Sequence, residues 1–188
     1  MTYTELIVVL GIFAVLSGIT MFNYGEFQAK VDIKNLANDM ALRMVEAQKA
    51  SIFGQFPTLA QQAQVGSGWK PSYGIYINKT LDNKSFVYFV DLNADSLYGG
   101  PDCQNECVDK TGITKGNYIS AIDVFYQNGT SASLNDITIS FVRPSSSAVF
   151  RSTSSLSGGI SYVQITVASP KEPQANIKLY ASGRVQIN

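Results

Sequence analysis

The chain opens with an uncharged apolar run, LIVVLGIFAVLSGITMF, which extends from Leu6 to Phe22. A helix needs about 17 to 25 such residues to cross the hydrocarbon core of a bilayer, and this run has 17. A cleaved secretory signal would carry a positive charge before the run and a small-residue cleavage site after it. The first Lys or Arg is Lys30 and no such cleavage site is evident. The run is therefore predicted to remain in the folded protein.

The helical pattern continues beyond the apolar run without a break. There is no proline between residues 23 and 52, and Gly25 is the one glycine. Apolar residues recur at spacings of three to five, as on the buried face of an amphipathic helix; they are Phe27, Val31, Leu36, Met40, Met44 and Ala47. The sequence thus predicts one helix of about 52 residues, roughly 78 Å long at 1.5 Å per residue.

The length of this helix decides where its first half lies. A compact domain of 188 residues has a radius of gyration of only about 16 Å. We therefore expect residues 1–25 to protrude as an apolar membrane or assembly half, and residues 26–53 to pack against a globular head. A protruding apolar helix needs a membrane or a partner to cover it.

A carboxylate lies immediately before the apolar run. Burying Glu5 without a partner would be costly. By itself, Glu5 in the first helical turn can simply complement the helix dipole. The alternative is a pair with a cation, for which the α-amino group of Met1 is available, either in the same chain or in a neighbouring copy. The protruding apolar helix favours the pair.

The first residues resemble the processed N-terminus of type IV pilins and pseudopilins, through the pattern TxxELxVVxGI at residues 2–12 and the long helix that follows. The resemblance covers about 50 residues. It implies that a prepilin peptidase removes a short leader, that the new first residue is N-methylated, and that Glu5 offsets a neighbouring subunit's amino terminus during assembly. The usual first residue is Phe, so Met1 is a departure. Met1 is either the mature first residue or an initiator, and the mature form places the family's Glu at Glu5.

Three glycines spaced by seven residues, Gly11, Gly18 and Gly25, fall close to one face of the helix. Each costs about 1 kcal/mol relative to Ala in a helix interior. Three explanations are open: close packing in a helix bundle, a weak segment that stretches in a filament, or the general frequency of Gly in membrane helices. The family often has a proline here, and the resemblance implies local unwinding between Gly18 and Gly25.

The remainder, residues 54–188, is predicted to be an antiparallel β-rich head, which gives the chain an α+β fold. Residues 55–71 are expected to be a connector. Alternating apolar residues separated by Gly, Pro and Asn turns predict the strands; these are residues 73–78, 85–91, 117–127, 136–143, 147–151, 160–169, 175–181 and 184–187.

Oxygen-bearing side chains alternate in the segment DLNADSLYGGPD, residues 91–102. As a calcium loop, its first, third, fifth, seventh and twelfth positions are Asp91, Asn93, Asp95, Leu97 (through its carbonyl) and Asp102. An EF-hand has Gly at the sixth position and Glu at the twelfth, so Ser96 and Asp102 are departures. The alternative is an ordinary Asp/Asn-rich turn. Calcium is predicted as an optional ligand, and no cofactor is required.

The two cysteines, Cys103 and Cys107, are separated by three residues. The extracellular character of the chain favours a small disulfide over free thiols. A redox enzyme would need a CxxC motif at the start of a helix, and a zinc site would need more ligands. The disulfide is predicted to rigidify the loop.

Composition disfavours catalysis and nucleic-acid binding. The chain has no His, equal numbers of basic and acidic residues, and only 15% charged residues. It therefore lacks the commonest general base and shows no basic patch. The leading hypothesis is a cell-surface type IV pilus subunit, a single-pass membrane protein before assembly, which serves adhesion, twitching motility or DNA uptake. The alternatives are a type II secretion pseudopilin and a membrane-tethered, calcium-dependent binding module.

Overall fold

The computed structural model describes residues 2–100, 103 and 105–188, with the backbone alone at residues 20–23. One long helix, α1 (Tyr3–Phe53), contains 51 residues and packs on two antiparallel five-stranded sheets. The α+β fold that the sequence predicts is confirmed. Met1 and Asp102 lie outside the described residues, so the structure gives no position for either of these two predicted site residues.

The end of α1 follows from its local sequence. Gly54 adopts the left-handed conformation, with φ of 69°, which glycine reaches without steric cost. Its N–H and that of Gln55 donate to the carbonyls of Ser51 and Ala50. These bonds satisfy carbonyls of the last helical turn that have no partner within the helix. Pro57 then prevents the helix from resuming.

The head consists of two sheets and one short helix. The sheets have the strand orders β3-β2-β1-β6-β7 and β10-β9-β8-β4-β5. The elements are α2 (Leu59–Gln62), β1 (Ser72–Asn78), β2 (Asp82–Val90), β3 (Cys107–Gly112), β4 (Tyr118–Tyr126), β5 (Ser131–Ser133), β6 (Asp136–Val142), β7 (Ala148–Arg151), β8 (Ile160–Ala168), β9 (Gln174–Tyr180) and β10 (Val185–Ile187).

Eight of these strands match the predicted segments, whereas β3 and β5 were not predicted. Both lie at the edge of a sheet. β3 alternates between half-buried and exposed residues, and all three residues of β5 are exposed. Because these strands bury few apolar side chains, their sequences lack the alternation that marks the other strands. The segment predicted as a connector contains α2.

One hydrophobic core joins α1 to both sheets. The buried face of the helix recurs every three or four residues and includes Ala29, Ile33, Ala37, Met40, Met44 and Ala47. Three of these residues are alanines, whose small side chains allow the helix to lie close to the strands. The predicted face was wrong at its start, because Phe27 is 64% exposed. Ala29 and Ile33 pack against the head where Phe27 and Val31 were expected.

Candidate functional site

The first half of α1 projects from the head as an uncovered apolar rod. An 18-residue window of the helix has a mean hydropathy of 2.3, and none of it is buried within the chain. Between Leu6 and Ile19, the large apolar side chains are 50–70% exposed. The helix is therefore long and apolar enough to span a membrane, and the protrusion that the sequence predicts is present.

Glu5 takes part in starting this helix. Its Oε2 accepts a hydrogen bond of 2.8 Å from the backbone N–H of Thr2, the N-cap residue. This contact is one half of a capping box, in which the third helical residue bonds back to the N-cap. None of the four ion pairs among the described residues includes Glu5. The dipole-and-cap role is thus present in the single chain, and the pair with an amino terminus stays a prediction.

The three glycines have different surroundings. A Cβ built at Gly11 or Gly18 would meet nothing within 4 Å, whereas a Cβ at Gly25 would lie 3.1 Å from the Nζ of Lys171. Helix α1 is continuous from Tyr3 to Phe53, through all three positions. In the single chain, therefore, only Gly25 of the three contacts a distant segment. Stretching of α1 near Gly18 in a filament stays a prediction.

Asp91 organises the acidic loop that follows β2. Its side chain is fully buried, and its two oxygens accept hydrogen bonds from the N–H groups of Ala94 (2.7 Å) and Ser96 (2.9 Å). Asn93 and Asp95 accept from the N–H groups two residues further along, at 3.1 and 2.7 Å. The loop is thus held by its own carboxylate and amide oxygens, as in an Asp/Asn-rich turn.

The backbone of this loop makes a tight turn without glycine. Ala94 and Ser96 both have positive φ angles, of 63° and 62°. The left-handed conformation is costly for residues that carry a Cβ, and Ser96 adopts it at the position where an EF-hand has Gly. The chain therefore forms this turn although it has Ser96 where an EF-hand has Gly. The bonds that Asp91 accepts from Ala94 and Ser96 hold this conformation in place.

A second buried carboxylate, Glu106, closes the loop from its other end. Its two oxygens accept from the N–H groups of Leu92 (3.1 Å) and Gly99 (2.9 Å). Glu106 is nearly fully buried, and the sequence analysis did not identify it. The available signal was its position inside the predicted disulfide ring, next to Cys107 and four residues beyond the end of the acidic loop.

Burial dominates the electrostatics of the two carboxylates. It raises the pKa of Asp91 above its ordinary value, against the lowering effect of the N–H donors of Ser96 and Ala94. It likewise raises the pKa of Glu106, against the lowering effect of the N–H donors of Gly99 and Leu92, and the nearby charges of Asp91 and Asp95 add to the increase. Removal of these groups from water disfavours their charged form. Each would gain from a cation or from a proton.

The disulfide predicted between Cys103 and Cys107 is present, with the two Cα atoms 4.9 Å apart. It links the end of the acidic loop to the first residue of β3. The side chain of Gln61 in α2 donates to the carbonyls of Asn105 (2.8 Å) and Cys107 (3.3 Å). The short ring is therefore held by the disulfide and by Gln61, which bonds to the residues on both sides of Glu106.

The calcium prediction stays a prediction. Within residues 2–100, 103 and 105–188, no group of three or more His, Cys, Asp or Glu side chains is arranged to hold a metal ion. Asp91, Asn93 and Asp95 lie on one loop, and the oxygens of Asp91 are occupied by backbone N–H donors. Glu106 is a fourth oxygen-bearing side chain beside them.

No known protein family, curated protein or solved structure matches this chain. The likeness to pilins accordingly depends on the residues of the N-terminal helix. The features of the chain that bear on function are the projecting apolar half of α1 and the loop held by Asp91.

Proposed function

We propose that this chain is the subunit of a type IV pilus-like filament, held in the membrane by α1 before assembly. The observation that carries the proposal is the uncovered apolar half of a helix whose other half is built into a folded head. Ten large apolar side chains from Leu6 to Ile19 are at least half exposed. At about 1.5–3 kcal/mol for each side chain fully buried, covering them is worth on the order of 10 kcal/mol.

A membrane and a helix bundle are the two environments that cover such a rod. In the membrane, lipid chains surround α1 and the head stays in water. In a filament, the apolar halves of neighbouring subunits surround one another. Lipid and protein are similarly apolar, so close packing between helices drives the exchange. The length of α1 supports this proposal, because the projecting half is free to enter a bundle while the heads remain outside it.

Assembly requires a cationic partner for the carboxylate of Glu5. In the bundle its carboxylate enters apolar surroundings, where an unpaired charge is strongly unfavourable. The amino terminus of a neighbouring subunit is a cation of the right kind at the same end of the helix. A pair between them would favour one axial offset between neighbouring subunits, because any other offset leaves both charges unpaired.

The test compares Glu5→Ala with Glu26→Ala, an exposed carboxylate further along the same helix. Cells that make each variant are sheared, filaments are counted by electron microscopy, and the N-terminus of the subunit is determined by mass spectrometry. We expect Glu5→Ala to leave the head folded and to reduce filament yield at least ten-fold. The control should assemble normally. Equal yields from the two variants would refute the role of Glu5, and the absence of any filament from unmodified cells would refute the proposal.

The same microscopy separates the pilin from a type II secretion pseudopilin. Long filaments on the cell surface favour the pilin. Filaments that are short and confined to the periplasm favour the pseudopilin. The N-terminal helix has the same properties in both, so only the location and length of the filament discriminate.

A membrane-tethered, calcium-dependent binding module is the second candidate, favoured by the loop around Asp91. Its turn is made without glycine, and burial disfavours the charge of both carboxylates that hold it. Calorimetry of the detergent-solubilised chain tests it. Calcium binding at millimolar or lower concentration, lost in Asp91→Asn, would support this candidate. If no heat of calcium binding is measured, the loop is a turn held by its own carboxylates and does not bind calcium.

A further inference from the structure

We propose that the head binds the phosphate of an anionic phospholipid in a cleft at its base, where α1 leaves the head. The proposal rests on the membrane-anchored state described above. The cleft has a volume of about 270 Å³ and lies between α1 and two head loops, around residues 115–117 and 169–171. It adds a specific lipid contact to the purely apolar contact that α1 makes with the membrane.

The position of the cleft along α1 matches the depth of the headgroups. The apolar run ends at Phe22, and the helical residues that line the cleft begin at Tyr24. At 1.5 Å per residue, the cleft opens about 3 to 5 Å above the end of the apolar run. Headgroups occupy this zone, outside the hydrocarbon core. When α1 spans the membrane, the cleft therefore faces lipid phosphates.

The residues that α1 contributes to the cleft lie on one face of the helix because of their spacing. Tyr24, Gln28 and Asp32 recur at intervals of four and lie on one face of α1. Tyr24 is 66% exposed, and an exposed Tyr at this depth is typical of residues that contact the membrane interface. The cleft thus combines an aromatic side chain at its lipid side with polar side chains above it.

Two lysines come to this cleft from the head. The Nζ of Lys115 lies 2.6 Å from Oδ1 of Asp32, so the charges of these two residues offset each other. Gln28 also donates to that oxygen, at 3.1 Å. Among the residues described, no other carboxylate lines the cleft. The remaining charge on its walls is the ammonium of Lys171.

Gly25 leaves room for the exposed side chain of Lys171. Its Nζ would lie only 3.1 Å from a Cβ at position 25, so glycine allows the ammonium to lie against the helix backbone. Within the described part of the chain, Lys171 forms no ion pair. Asn117 also lines the cleft, and an ammonium with three donors is suited to a phosphate monoanion.

The test is a titration of the full chain in dodecyl maltoside, which carries no phosphate. Dihexanoyl phosphatidylglycerol, added below its critical micelle concentration, is the probe, and calorimetry measures the Kd. We expect Lys171→Gln to weaken binding about ten-fold, as expected for loss of one charge-assisted hydrogen bond. Lys171→Arg should retain binding. Lys70→Gln, which removes an exposed lysine from the connector before β1, should bind like the unmodified chain.

The competing outcomes are distinct. Equal affinity in Lys171→Gln and Lys70→Gln would overturn the proposal, as would an absence of binding. Inorganic phosphate that binds as tightly as the lipid would overturn the assignment to a lipid, because the cleft would then recognise the phosphate alone.

Separate measurements test lipid binding in the cleft and the proposed function. Carbonate extraction of membranes tests whether α1 anchors the chain, and electron microscopy tests filament formation. A chain that resists carbonate and assembles, but binds no lipid in the titration, would refute the cleft alone. A chain that carbonate removes from the membrane would refute the anchor on which both proposals depend.

Discussion

Replacing Glu106 by Gln tests whether the buried carboxylate holds the acidic loop. Glu106 accepts two backbone hydrogen bonds, from Leu92 and Gly99. Gln has nearly the same volume but only one acceptor oxygen, and its NH₂ group is a donor. One of the two N–H groups therefore loses its acceptor and faces another donor. The substitution changes hydrogen bonding without creating a cavity.

The expected loss follows from the type of bond. A hydrogen bond to a charged group contributes about 1.5–3 kcal/mol. Part of that loss is recovered, because Gln removes a charge whose burial is unfavourable, as the raised pKa of Glu106 indicates. We expect a net decrease of about 1–2 kcal/mol in the free energy of unfolding. For a chain of 188 residues, this lowers the Tm by about 2–8 °C.

Thermal unfolding of the full chain in detergent measures this loss, and amide hydrogen exchange locates it. Faster exchange is expected at Leu92 and Gly99, because these N–H groups donate to Glu106. Glu26→Gln is the matched control, since Glu26 is exposed on α1, and it should change neither measurement. An unchanged Tm together with unchanged exchange at Leu92 and Gly99 would refute the role assigned to Glu106.

Three further predictions concern the same loop. Burial raises the pKa of Asp91 and Glu106, so the folded state holds their protons to higher pH than the unfolded state does. Their contribution to stability is therefore complete below the unfolded pKa values, which are about 4, and is lost as pH rises through the folded pKa values; unfolding followed by circular dichroism should give a higher Tm at about pH 4 than at pH 7, and Glu106→Gln should reduce that difference. Ser96→Gly should raise the free energy of unfolding by about 1 kcal/mol, because Ser96 has a φ of 62° that glycine adopts without the Cβ penalty; a lower Tm would contradict this. Reduction of the Cys103–Cys107 disulfide should cost about 2 kcal/mol for so short a ring, and faster proteolysis of the loop is expected, whereas identical cleavage with and without reductant would show that the disulfide does not hold it.

Local sequence patterns were sufficient to predict the long helix and most of the strands. The extent of α1 follows from the absence of proline before Pro57 and from the left-handed Gly54, both of which act through neighbouring residues. Eight strands were predicted because their alternation reflects burial on one face of a sheet. β3 and β5 were not predicted, because they are paired mainly through backbone hydrogen bonds at sheet edges, and backbone bonding leaves little trace in side-chain type.

The features of the candidate sites also fall into two groups, those evident from the sequence and those evident only from the tertiary structure. The sequence by itself determined the apolar half of α1, Glu5 before it, the acidic loop and the disulfide, because each is a run of adjacent residues with distinctive chemistry. Only the tertiary structure decided which face of α1 is buried, that Glu106 caps the loop from its far side, and that Lys171 lies against Gly25. These contacts join residues distant in sequence. They depend on how two sheets and a helix pack together, and packing is set by the whole core.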